Sequence, residues 1–156
     1  MFHLGAMIGT VRRRSVARPG TAAVELAVAL PVLVLLVLGI ADFGRMFFTG
    51  IAVANAARTA AEYGAMKSDS FDSAIVNQAG RDDGADISGL LVTSERFCRC
   101  PNGSAPACSG GTCAAPYTSP EVFIRAYAQK TVNLILRYPG IPGSMTFRDS
   151  AVFRAN

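Results

Sequence analysis

The stretch RPGTAAVELAVALP, residues 18–31, places one carboxylate, Glu25, in an otherwise apolar run that continues through VLVLLVLGIA to Ala41. Its composition suits a bilayer, where an acid at the centre of a spanning helix costs roughly 2.5 to 3.5 kcal/mol. Taken alone, Glu25 reads as a carboxyl near the end of a membrane helix, snorkelling to the interface. The glycine that precedes it by five positions, Gly20, closes a basic segment and makes a second reading available.

Working outward toward the N-terminus, residues 1–20 hold Arg12, Arg13, Arg14 and Arg18 and no acid. The other 136 residues balance eleven Lys or Arg against eleven Asp or Glu, so the net charge of +4 belongs to this segment alone. A nucleic-acid binder keeps its basic surface in the folded body, so the distribution argues against nucleic acid as a partner. Positive residues stay on the cytoplasmic side of a hydrophobic segment. The N-terminus is therefore expected inside, with everything after residue 45 outside. Pro19-Gly20 breaks any helix at the boundary, and translation can begin at Met1 or Met7.

Working outward in the other direction, residues 21–41 are long enough to cross a hydrocarbon core of ~30 Å at 1.5 Å per residue. Pro31 lies within them, as membrane helices tolerate. Residues 42–66, DFGRMFFTGIAVANAARTAAEYGAM, are alanine-rich and proline-free, and extend the helix to on the order of 70 Å. Small residues recur at Gly50, Ala54, Ala57 and Ala61, a spacing that allows another helix to approach closely.

Beyond KSDS, with Ser70 as the candidate N-cap, residues 71–80 suit a short second helix that RDDGAD ends. From Ile87 the chain reads as β-structure in three runs, ISGLLVTSERFCRC, EVFIRAYAQKTVNLILRY and SMTFRDSAVFRA. The expected fold is α+β: a long N-terminal helix, a short helix and a small antiparallel β region. The organisation expected is a basic leader, 1–20, a transmembrane and extended helix, 21–66, and an extracytoplasmic domain, 67–156. That domain carries a cysteine-bearing loop, 98–113.

Cys98, Cys100, Cys108 and Cys113 are an even set in the part expected outside, which reads most simply as two disulfides. Zinc is the rival, but C-x-C followed by C-x-x-x-x-C lacks the paired C-x-x-C knuckles of structural sites. Cys98 and Cys100 are too close along a strand to join each other, so each is expected to bond with Cys108 or Cys113. RDDGAD lacks the length and terminal glutamate of a calcium loop and reads as a solvated helix end. Asn102-Gly103 reads as a turn.

A basic segment, then Gly20, then Thr-Ala-Ala-Val-Glu, then sixteen largely apolar residues resembles the prepilin signal of type IV pilins and pseudopilins. The match lengthens into GTAAVELAVALPVLVLLVLGIADFGRMFF and ANAARTAAEYGA, which resemble the TadE-like family of tight-adherence (Flp) pilus systems. The residues that carry it are Gly20, Val24, Glu25, Pro31, Asp42 to Arg45, and Ala56 to Arg58. Cys98-Arg-Cys100-Pro, the Tyr138-Pro-Gly-Ile-Pro loop and Ala151 to Arg154 resemble the later part of such proteins. The resemblance implies cleavage between Gly20 and Thr21 by a prepilin peptidase. Glu25 would then be the fifth residue, pairing with the terminal amine of a neighbouring subunit and setting register. Leu26 stands where the major pilins of these systems carry Tyr, and with the large C-terminal domain this implies a minor pilin or pseudopilin. Its implied partners are other pilins along the N-terminal helix, the peptidase, the inner-membrane assembly machinery and membrane lipid. Its implied place is a bacterial inner membrane, crossed once, with the C-terminal domain in the periplasm or outside, or in the pilus itself.

An enzyme is not expected. The single histidine, His3, falls in the leader, which leaves the remainder without Ser-His-Asp or Cys-His chemistry and without imidazole metal ligands. No metal or cofactor motif is seen. Two alternatives to a pilin stand: a single-span periplasmic protein with an uncleaved anchor, and a secreted protein cut near residues 39–41. The latter has a core longer than the usual 7 to 15 residues of a signal sequence, about that range being typical.

Overall fold

The computed structural model describes residues 20–137 and 139–155. His3 and the arginines of the basic leader lie outside the described residues, as does Tyr138. The fold is α+β. The helix α1 spans Thr21–Met66, a 3-10 turn spans Ser68–Ser70, and α2 spans Ser73–Asp83. Three strands follow, β1 (Leu91–Arg99), β2 (Glu121–Asn133) and β3 (Ser144–Arg154).

Two compact units divide within α1, one ending at Val37 and the other beginning at Leu38. In the first, every residue from Gly20 to Val37 is exposed, including the valines and leucines. α1 is long and apolar enough to span a membrane, with a window of mean hydropathy 2.7 and Pro31 accommodated inside it. Among the described residues nothing buries this hydrophobic surface, whose length and composition are those a membrane-spanning helix requires.

In the second unit the strands form an antiparallel meander ordered β1-β2-β3. Val92 pairs with Ala128 and Ala126 with Ala151, so these residues share the inner face. Alternation places Ile124, Ala126, Ala128 and Val132 of β2 inward, with Phe123, Arg125 and Tyr127 on the other face. The inner face packs on Val53, Ala56, Ala57, Ala60 and Ala61 of α1 and on Val76 of α2. The outer face is polar and aromatic: Phe97 stacks on Phe123, and the Arg125 guanidinium lies 4.6 Å from the Phe97 ring centre.

The short helix begins two residues later than Ser70 as its cap would have it. Asp72 is the N-cap: its backbone is extended and its side chain accepts from the Ala74 amide at 2.8 Å. Ser70 instead closes the preceding 3-10 turn through its amide to the Lys67 carbonyl. The helix also runs through Arg81-Asp82-Asp83, held by Gln78, which bonds to both Asp82 and Arg81 one turn on.

Cys98 pairs with Cys108, and Cys100 with Cys113. The two bridges staple the long β1–β2 connection to the end of β1, and no thiolate among the four remains for zinc.

Candidate functional site

Gly20 sits in a turn immediately before α1, and its carbonyl accepts the Val24 amide at 3.3 Å, the first bond of the helix. Thr21 is the first helical residue, so the Gly20–Thr21 bond lies at an exposed junction between turn and helix. Glu25 follows one turn later. An i, i+4 spacing puts Thr21 and Glu25 on one face of the helix, stacked along its axis. The first turn holds no acid, and Glu25 lies past the stretch in which a carboxylate best complements the N-terminal dipole. It is exposed, with its carboxylate on the outside of an apolar helix.

Of the small residues whose spacing suggests close approach by another helix, Ala57 and Ala61 are taken up within this chain, and Gly50 and Ala54 are half-buried. Ala57 and Ala61 are 0% exposed and lie in the core of this chain's own domain. A β-carbon on Gly64 would lie 2.8 Å from Ile124, and one on Gly80 would lie 2.8 Å from the Ala56 carbonyl oxygen. The alanine–glycine face of the second half of α1 is thus consumed by α2 and the sheet. Surface remaining for other helices is the exposed stretch from Thr21 to Val37 and the outward side of the later turns.

Sequence reasoning passed over Asp42, except as part of a family motif. It is 2% exposed, directly beyond the apolar run. Its carboxylate accepts the Ile135 amide at 2.9 Å on Oδ1 and 3.1 Å on Oδ2, and the Leu136 amide at 3.2 Å. Arg45 stands 3.9 Å away on the next turn. Buried charge is tolerated only when hydrogen-bonded, and here the donors come from the β2–β3 connection. One signal was legible: an acid at the junction between a membrane-length apolar run and a folded domain. One turn further, buried Thr49 satisfies its hydroxyl by donating to the Arg45 carbonyl at 2.8 Å.

The arrangement comprises an exposed peptide bond before the helix, a carboxylate on an apolar helix, and a second, buried carboxylate that bonds the helix to the β2–β3 connection. The cysteines lie at the opposite end of the domain from Asp42, where α1 reaches Gly64 and β2 begins. Among the described residues, no group of three or more His, Cys, Asp or Glu is placed to hold a metal ion. No curated protein and no solved structure matches the chain. Residues 20–62, from the glycine before α1 to Glu62 near its end, match the family model described as TadE-like protein, a similarity confined to the long helix and the residue before it.

Proposed function

We propose that this chain is a minor pilin or pseudopilin of a tight-adherence pilus, carried in the inner membrane by α1 before assembly. The TadE-like match carries the reading, because the family is one of pilus components rather than enzymes and the match begins at Gly20 itself. A prepilin peptidase cuts between Gly20 and Thr21 on the cytoplasmic side. The new amine of Thr21 and the carboxylate of Glu25 then pair between neighbouring subunits. Each charge is costly alone in lipid, so the pair rewards one register. The α+β domain, stapled by its disulfides, faces the periplasm or the exterior.

N-terminal sequencing of the mature protein tests this. Thr21 at the N-terminus supports it. A start at Met1 or Met7 would point to an uncleaved anchor, and a start near residue 42 to conventional secretion.

A further inference from the structure

The Asp42 end of the second unit carries exposed hydrophobic side chains that the core does not use. Ile135 is 52% exposed and Ile141 46%, both in the β2–β3 connection. Phe43 and Phe47 of α1 and Met145 of β3 border an apolar groove of about 370 Å³. Hydrogen bonds hold the described residues of the connection near the strand ends. The Leu134 amide donates to the Gly143 carbonyl at 3.0 Å, and Asp42 receives the Ile135 and Leu136 amides. Gly140, at φ +81°, supplies the left-handed residue that turns the chain back.

Asp42 fixes the height of the connection. It is the first residue after Ala41, where an apolar segment of some twenty residues has just covered ~30 Å of hydrocarbon. A loop bonded to Asp42 must lie where the chain leaves the bilayer. The other end of the domain is far away: from Asp42 to Gly64, which abuts Ile124, α1 rises about 33 Å. From Ile124 to Ile135, β2 and its continuation rise about 36 Å. The agreement means that helix and strand run side by side, with the disulfide-bearing connection at the Gly64 end and Ile135 at the Asp42 end. Exposed Arg45 and Arg137 lie two residues after Phe43 and Ile135 along the chain, the pairing of residue types that settles at headgroups.

We propose that the β2–β3 connection is a second membrane-contacting element, seating Ile135 and Ile141 in the outer interfacial layer of the bilayer, with Asp42 as the clamp that holds it there. The carboxylate and the loop amides satisfy each other where water is scarce, which is the condition for irregular backbone at a lipid boundary. The domain would then stand on the membrane at two points, and leaving the bilayer for a filament would require lifting this loop as well as withdrawing α1. The proposal rests on α1 crossing the membrane.

The chain has no tryptophan, so single tryptophans report position without background. Full-length Ile141→Trp, Val34→Trp and Tyr117→Trp are reconstituted in phosphatidylcholine–phosphatidylglycerol nanodiscs with and without brominated acyl chains. Ile141→Trp should be quenched roughly threefold or more beyond Tyr117→Trp, as for a side chain set about 5 to 10 Å into the interface. Adding Asp42→Ala should bring it down toward Tyr117→Trp, and quenching that persists would overturn the clamp. Strong quenching of Val34→Trp with Ile141→Trp no different from Tyr117→Trp would overturn the loop contact while leaving the span intact. An unquenched Val34→Trp would remove the span and the proposal together. Protection of Ile141→Trp from acrylamide that rises with protein-to-lipid ratio, with no quenching by brominated lipid, would overturn the lipid contact in favour of a second copy.

Discussion

The Asp42 carboxylate and the Ile135 amide meet at 2.9 Å across 93 residues of sequence, joining the first turn beyond the apolar run to the far end of β2. This single junction ties the β2–β3 connection to the helix directly beyond the apolar run. Hydrogen bonds to a charged group contribute about 1.5 to 3 kcal/mol. Asp42→Ala should therefore speed amide exchange at Ile135 and Leu136 roughly tenfold or more. Hydrogen-exchange mass spectrometry of the intact protein reads this directly, and Asp42→Asn, which keeps one carbonyl acceptor, should lose less.

Gly80 and Gly44 make opposite predictions for the same substitution. Both are helical-region glycines, where alanine ordinarily gains up to about 1 kcal/mol. At Gly80 a β-carbon would meet the Ala56 carbonyl oxygen at 2.8 Å, Ala60 at 2.9 Å and Val92 at 3.0 Å. Gly80→Ala should thus destabilise by about 1 to 3 kcal/mol through overpacking. At Gly44 nothing lies within 4 Å, so Gly44→Ala should be neutral or stabilising. Urea midpoints of the detergent-solubilised chain compare the two.

The Cys98–Cys108 and Cys100–Cys113 bridges close loops with sequence separations of 10 and 13. Replacing Cys100 and Cys113 together by alanine should cost about 2 to 4 kcal/mol. The damage should be local to the distal end. Limited proteolysis should cut within residues 101–120 faster, while the Ile135 and Leu136 amides keep their protection.

Glu25→Ala removes a charge from the face of α1 that also carries Thr21. Insertion into the membrane should persist or improve, since an acid in the span opposes it by roughly 2.5 to 3.5 kcal/mol at the centre and less near the edge. Pilus formation should fall sharply. Piliation equal to that of the unaltered protein would count against the register role.

The apolar run, the three strands and the cysteine-rich connection could all be read from the chain because each is a local pattern. Consecutive hydrophobic residues declare a lipid-facing helix, and alternation in EVFIRAYAQKTVN declares a half-buried strand. The proposal for the Gly20–Thr21 bond and Glu25 rests on the same kind of pattern, spacing along a few turns. Capping was less legible: Ser70 and Asp72 are both good N-caps, and only the extended backbone at Asp72 chose between them.

Sequence alone thus located the segment apolar enough to span a membrane, the turn to β-structure, and the end that carries the basic charge. Composition and period are sufficient for these because they concern one residue and its near neighbours. Only the tertiary structure decided the use of the small residues on α1. Glycine and alanine permit close approach but do not name what approaches, and here Gly80 and Ile124 of the same chain take the place open to another subunit. Likewise the role of Asp42 depends on two amides 93 and 94 residues distant, a pairing that no local pattern specifies.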